Sequence, residues 1–384
     1  MHSARGALWA GILIAATACS PTRAADRSPV AKETTTPAAV TGNIGRRADW
    51  YVSPNGKDSN PCTQVRPCKT PEYAFDHKAT PGQAVEVAAG TYGYGNGALR
   101  LKTSGVPELY KTLTCAVPGA CKVTNSVTGN HTVVYLEGSY IAFDGFEVTN
   151  SGSGNNLGIY VTSERAVKIT RNTIHHIETD CGANGGGGIQ IAGGGLIKGT
   201  GSDMLIDSNL IYDISWSSCQ GSKSVQTDGI LAETVGGGIV ITNNVVYHVA
   251  GGWGITMSNG SGDAAPMVVK NNTVFSNGNG GITLVGGTVP PVITNNIVVN
   301  NGLVNPKCGI NMPRGLRGAV GHNYMWNNGG GNYCVEWSTS DQGVHADDLS
   351  VDPGTIFVDW KADGSGDYHL RAGSPAVGFG SGRL

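Results

Sequence analysis

The sequence predicts an all-β fold, a right-handed single-stranded parallel β-helix with a short N-terminal capping helix. Three observations carry this. Six imperfect copies of one pattern run between Val167 and Trp337: apolar, any, apolar, any, any, Asn, any, apolar, a variable loop, then Gly-Ile, any, apolar. The apolar residues in each copy alternate at period two, which specifies strands and not helices. The interval between successive Asn residues ranges from 37 down to 24 residues, so a constant frame carries one elastic loop. No single copy can bury its own apolar face, and stacking is the way such repeats form a core.

The Asn recurs as Asn172, Asn209, Asn244, Asn272, Asn296 and Asn323, and the Gly-Ile pair at 188/189, 229/230, 254/255, 281/282 and 309/310. A looser copy runs from Ile141 through Phe146 to Gly158-Ile159. Val167, Ile169, Ile239 and Ile241 supply the β-branched residues that suit a pleated surface. The Asn lies between two short strands, where the chain must turn and where a left-handed backbone is easiest for Gly or Asn. Stacked copies then bond amide to amide up a column. Gly-Ile opens the third strand of each coil.

Taken in order, Arg5 and the apolar run from Ala7 to Ala18 read as a signal peptide over residues 1–18, too short to span a bilayer. Ala16-Thr-Ala-Cys19 resembles a bacterial lipoprotein box, with Ala16 where Leu is usual, and marks Cys19 for lipidation. Residues 19–48, rich in Ala, Thr, Pro and Ser, read as a tether. The expectation is an outer-membrane or cell-surface lipoprotein, or a secreted protein, touching membrane only through a lipid. The β-helix domain spans 49–384. Trp50 to Ser53 is a strand, and Thr70 to Lys78 a helix with Thr70 as N-cap and Pro71 at its first position, placed as a lid over the open strand edge. Regular coils run from about 138 to 337, and 338–384 lose the frame and are expected to fold back as a C-terminal cap. The 59 Gly and 14% charged residues suit tight turns, and a net charge of −2 gives no signal for nucleic acid or another polyanion. A monomer is expected.

Cys19 aside, eight cysteines remain, an even number in an exported chain. Cys181 and Cys219 lie nine and ten residues after the Asn of adjacent coils, hence in the same loop. Neighbouring strands sit about 4.8 Å apart, inside the roughly 4.4 to 6.8 Å between Cα atoms that a disulfide tolerates. The same arithmetic joins Cys308 to Cys334, and Cys62–Cys68 and Cys115–Cys121 close short local loops.

A β-helix interior is solid, so chemistry belongs outside, on a strand face or in loops. The elastic loops flank the Gly-Ile strand and make it the floor of a groove. If each Ile points inward, the floor column is Tyr160, Gln190, Leu231, Thr256, Thr283, Asn311 and Glu336, with Glu233 and Ser258 facing out two residues further on. The loops add His175, His176, Glu178 and Asp180, then Trp216, Lys223 and Asp228, then His248 and Trp253; Asp263, Arg314 and Arg317 lie on the far side. Gln190, His248, Asn311 and Trp253 are candidates for substrate contact. Glu178, Asp180, Asp228 and Glu233 are hard oxygen donors from adjacent coils, a possible Ca2+ set. Each has a plainer reading. His176, Asp213 and His248 share one position in successive coils, as a bonded turn column would. Asp228 can cap its turn, Glu178 and Asp180 can be solvated loop, and Lys223 plain surface. The shorter loops after Asn244 and Asn272 are expected to leave the floor open there.

Trp50-Tyr-Val-Ser-Pro-Asn-Gly-Lys-Asp-Ser-Asn-Pro61, then Lys69-Thr-Pro and Ala89-Gly-Thr-Tyr92, precede the coils, and Gly366-Asp-Tyr-His-Leu-Arg-Ala-Gly-Ser-Pro-Ala376 follows them. With the coils, these motifs resemble the bacterial right-handed β-helix proteins that include pectate lyases and related polysaccharide lyases. The resemblance covers most of residues 50–380. It implies a polysaccharide lyase that cleaves a uronate polymer by β-elimination, Ca2+ neutralising the carboxylate and a Lys or Arg removing the adjacent proton; Lys223, Arg314 and Arg317 are the candidates. Such coils also serve hydrolases, epimerases and proteins without catalysis, so a glycan-binding surface protein is the alternative. Thr227-Asp-Gly-Ile230 and Gly252-Trp-Gly-Ile-Thr-Met257 resemble polygalacturonase motifs. The paired Asp-Asp between them is missing, however, and Trp253 stands where His is needed, so hydrolysis ranks behind.

Overall fold

The computed structural model describes residues 48–381, apart from 127–130, 151, 153, 155, 163–164, 180, 182–183, 192–201, 220, 223–225, 235–236, 260–264, 315, 317, 337–344 and 346. The chain winds so that each coil gives one strand to each of three parallel sheets. The coil of Asn244, for example, is Val240–Thr242, Val245–Val249 and Trp253–Asn259. Among the described residues the leading sheet has ten strands, from Trp50–Val52 to Ala319–Gly321; the trailing sheet has nine, from Gly90–Gly93 to Tyr324–Trp326; the Gly-Ile sheet has nine, from Leu99–Leu101 to Tyr333–Val335.

Register is kept from coil to coil because the alternating apolar residues must all face inward, and a one-residue slip would turn every one of them out. Ile206 pairs with Ile169 below and Ile241 above, and all three are buried. Ile189, Ile230, Ile255, Ile282 and Ile310 form the matching inner column of the Gly-Ile sheet. Burying each such side chain stabilises by about 1.5 to 3 kcal/mol.

At the first turn the six Asn side chains form one buried column. Asn209 donates its backbone N–H and its Nδ2 to Asn244 Oδ1, both at 2.9 Å, and Asn244 does the same to Asn272 Oδ1, both at 3.0 Å. The ladder runs from Asn172 to Asn323, whose N–H ends on Asp348 Oδ1 at 2.7 Å. The left-handed backbone falls one residue earlier than expected, on Arg171, Ser208, Asn243, Asn271, Asn295 and His322. The column Asn is therefore selected for its amide, which satisfies buried backbone groups of two coils at once.

The repeated Gly has an equally direct cause. A Cβ on Gly158, Gly188, Gly229, Gly254, Gly281 or Gly309 would come within 2.4 to 2.6 Å of a packed atom. In five of the six, that side is filled by the inner aliphatic of the trailing sheet (Ile174, Ile211, Val246, Val274 or Val298) and by the carbonyl of the Gly one coil up.

The helix Pro71–His77 buries Pro71, Ala74 and Phe75 against the first coils, as a lid. Thr70 precedes it but does not cap it with its hydroxyl, which donates to Asp58 Oδ2 at 2.9 Å; Asp58 Oδ1 takes the N–H groups of Lys69 and Thr70. At the other end Leu349 bridges to Tyr324 over the last coil. Residues 353–381 do not continue over that end. They return along the outside of the trailing sheet, where Phe357–Asp359 pairs antiparallel with Asp367–Leu370, Tyr368 packs 4.7 Å from Phe275, and Ser381 donates its N–H to Thr273 Oγ1 at 3.0 Å. The disulfides are Cys62–Cys68, Cys115–Cys121, Cys181–Cys219 and Cys308–Cys334, the last two joining adjacent coils at Cα separations of 5.1 and 5.8 Å. No helix among the described residues is long and apolar enough to cross a membrane.

Candidate functional site

The outer face of the Gly-Ile sheet carries one side chain per coil in strict register. Arg100 pairs with Tyr135, Tyr135 with Tyr160, Tyr160 with Gln190, Gln190 with Leu231, then Thr256, Thr283 and Asn311 follow. The column does not reach Glu336: Cys334 stands opposite Asn311. Glu336 lies past the strand at φ 53° and pairs with the exposed Arg314 at 3.1 Å.

The two ends of this column differ. Arg100, Tyr135, Tyr160, Gln190 and Leu231 are half-buried, whereas Thr256, Thr283 and Asn311 are 7%, 0% and 2% exposed. The floor is thus open at its N-terminal end, the reverse of what loop length suggests. The covered positions carry short side chains, Thr256, Thr283 and Asn311, and the open ones the longer Arg100, Tyr135, Tyr160, Gln190 and Leu231. At the open end the Arg100 guanidinium lies 3.9 Å from the Tyr135 ring centre and is bonded to Glu137. Tyr160 meets Tyr135 edge-on at 5.9 Å. Burial, with Glu233 and Tyr135 nearby, raises the Tyr160 phenol above its ordinary value, so it remains a hydrogen-bond donor.

Between the two ends sits Asp228. Its Oδ1 accepts the Thr256 hydroxyl at 2.8 Å and the Trp253 N–H at 3.2 Å, tying one coil to the next. Burial pushes its carboxyl up to about 6; those two hydrogen bonds oppose the shift and Glu233 adds to it. Glu233 is half-buried and pairs in register with Ser258.

Other expected site residues lie elsewhere. Trp253 is only 6% exposed. Its ring covers Gly280, where an added Cβ would meet Cζ3 at 2.3 Å, so the small turn buries it and it offers no open platform. His248 is buried too: Asp213 Oδ1 lies 3.0 Å from its Nδ1, and Trp216 stacks on it at 4.3 Å. His176, Asp213 and His248 all take φ between 50 and 53°, a turn column that Ser276, Asn300 and Asn327 continue. Asn311 donates Nδ2 to Thr283 Oγ1 at 3.1 Å. Lys223, Asp180, Asp263, Arg317 and Cys19 lie outside the described residues.

Of the four acidic residues expected to gather Ca2+, Asp180 lies outside the described residues. Glu178 accepts the Ser217 hydroxyl, Asp228 is engaged by Thr256 and Trp253, and no three His, Cys, Asp or Glu side chains among the described residues are grouped to hold a metal.

Residues 119–290 match the family model described as a right handed beta helix region. The chain is a right-handed parallel β-helix. Among solved structures, the β-helix is similar to the pectate lyase Pel9A, at 16% identity over 86% of this chain and 91% of that one, TM-score 0.48. It is similar also to a rhamnogalacturonan lyase (15%, 87% and 96%, TM-score 0.45) and to a GH136 lacto-N-biosidase from Eubacterium ramulus (12%, 79% and 67%, TM-score 0.41). At these identities the likeness is one of fold. No curated protein matches the chain.

Two features of the β-helix escaped the sequence reading. The floor continues downward through Tyr135 to Arg100, in coils too irregular to show the Asn frame. A second buried Asn ladder, Asn277 to Asn301 to Asn328, with Nδ2 to Oδ1 distances of 2.9 and 3.0 Å, runs parallel to the first. Its signal was present: each of these residues follows a column Asn by five positions.

Proposed function

We propose that the protein is an exported, polysaccharide-active protein that holds an extended glycan along the open end of the Gly-Ile face. The observation that carries this is the in-register column of Arg100, Tyr135, Tyr160, Gln190 and Leu231. Coils about 4.8 Å apart present a new stacking or hydrogen-bonding side chain to each step of a sugar chain laid along the axis. Asp228, at the inner limit of this region, is the group suited to exchange a proton near neutrality, since a carboxyl at about 6 is populated in both forms there. Four disulfides accord with an exported protein, and Cys19 is its proposed lipid anchor. Cys19→Ala is expected to move the protein from membranes to the soluble fraction, and retention on membranes would dismiss the anchor.

β-Elimination on a uronate polymer is the finer reading. Its base candidates in the described region are few: Arg314 is paired with Glu336, and Arg100 with Glu137. Purified protein incubated with a panel of polysaccharides, with and without chelator, tests both levels. Retardation in affinity electrophoresis reports binding, new reducing ends report cleavage, and unsaturated-product absorbance reports elimination. If no polymer is retained or altered, the glycan reading fails.

A further inference from the structure

We infer that the open end of the groove selects uncharged glycan segments, with Tyr160 as the stacking ring, Tyr135 as its positioning neighbour, and Glu233 disfavouring polyuronates. This rests on the reading of that face as glycan-binding and stands against its finer reading, β-elimination on a uronate polymer. The placement of rings and charges carries it. Tyr135 has Arg100 stacked on it at 3.9 Å and meets Tyr160 edge-on, so Tyr135 fixes the ring beside it while Tyr160 stays half-exposed on the floor. A pyranose has an apolar C–H face that suits an aromatic ring, and hydroxyls that suit the Gln190 amide and the Tyr160 phenol.

The charges point the same way. Arg100 is the cation of the described column and is already bonded to Glu137, so its charge is answered within the protein. Glu233 faces out on the strand Gln226–Thr234, close enough to raise the proton affinity of both Tyr160 and Asp228. A neutral sugar gives such carboxylates hydroxyl donors. A uronate chain instead brings a carboxylate with each sugar into a region with a Debye length of about 8 Å at physiological salt, where like charges repel.

Matched polymers isolate the charge. Galacturonan, mannuronan and glucuronan are each compared with their carboxyl-reduced, neutral forms by titration calorimetry, using protein whose fold is checked by circular dichroism melting. Wild type is expected to bind at least one neutral form about tenfold tighter than its acidic parent, and Tyr160→Ala to weaken that binding about tenfold at unchanged melting temperature. Glu233→Gln is expected to raise affinity for the acidic form about threefold at low salt, the gain shrinking as salt rises. Tighter binding of the acidic forms, or a Glu233→Gln variant with an unchanged acid-to-neutral ratio, overturns the inference while leaving a glycan groove intact. Binding of no form of any backbone overturns the inference and the groove together.

Discussion

The Gly-Ile sheet presents the same inner face in every coil and two different outer faces. Inside, Ile159, Ile189, Ile230, Ile255, Ile282 and Ile310 are all fully buried, each preceded by a Gly that has no room for a Cβ. Outside, the column passes from Arg100, Tyr135 and Tyr160 to Thr256, Thr283 and Asn311. Packing constrains the first series at every coil, whereas the second is free to vary and so is where specificity can be written. If that division is correct, substitutions on the inner side should unfold the protein, and those on the open outer end should change only what it binds.

The largest effect is expected at the inner Gly. In Gly254→Val, the first added carbon alone meets Val274 Cγ1 at 2.4 Å and the Gly281 carbonyl oxygen at 3.0 Å. Neither neighbour can withdraw from a packed stack. Overpacking of this kind costs about 3 kcal/mol or more, and little folded protein should be recovered. Leu231→Ala, on the outer side of the next strand down, should shift the denaturant midpoint only slightly. Equal midpoints for the two variants would break the comparison.

Next comes the Asn ladder. Asn244→Ala removes the acceptor for the Asn209 N–H and Nδ2 and the donor to Asn272 Oδ1 and the Ile206 carbonyl. Each buried group left unsatisfied costs about 1 to 3 kcal/mol, so a loss of about 3 to 5 kcal/mol is expected in urea unfolding. Asn277→Ala, in the second ladder, should cost a comparable amount. A loss near zero for Asn277→Ala would make the second ladder a by-product of the first.

What was legible in the sequence follows the same division. The first Asn column, the inward Ile residues and the coil-to-coil disulfides were readable because burial leaves few residue types at each position and the period repeats them. The second ladder is confined to the later coils: five residues after the column Asn, the earlier ones carry Ile177, Ile214 and Val249, all buried. A pattern shared by half the coils is masked by aliphatics that fill the same space. The outer face has no such constraint, and loop length proved a poor guide to exposure. Trp253, a candidate for substrate contact, is buried because a Gly one coil away makes room for its ring. Glu336 was placed on the floor by extending the frame one coil too far, where the pairing puts Cys334 instead.

A smaller effect separates charge from hydrogen bonding at Asp228, on the border between the two outer faces. Its carboxyl titrates at about 6 in the fold, against an ordinary value of 3.8, so the folded state binds the proton more tightly than the unfolded chain does. The resulting stability is fully present below about pH 3.8 and is lost as the pH rises through 6. Asp228→Asn keeps an oxygen for the Thr256 hydroxyl and the Trp253 N–H but does not titrate. The variant should lack this decline between pH 4 and 6, and at pH 7.5 should exceed wild type by about 2 to 3 kcal/mol. If Asp228 exchanges protons with substrate, any turnover should fall in the same variant. An Asp228→Asn protein whose melting temperature follows pH as wild type does would place the titrating group elsewhere.

The smallest effect is the sharpest test of open against closed. Thr283 accepts Asn311 Nδ2 at 3.1 Å beneath a fully covered surface, so Thr283→Val, nearly the same shape, removes one buried acceptor at a cost of about 1 kcal/mol. In the proposed binding mode the glycan does not reach this position, so affinity should not move. Gln190, in the same column three coils nearer the open end, stands half-exposed between Tyr160 and Leu231. Gln190→Ala should leave thermal unfolding within about 0.5 kcal/mol of wild type and weaken glycan binding severalfold. The two substitutions sit on one face of one sheet, so a common structural cause cannot produce opposite outcomes in both assays. If Thr283→Val lowers affinity as much as Gln190→Ala does, the closed end is part of the binding surface, and the glycan lies along the whole column.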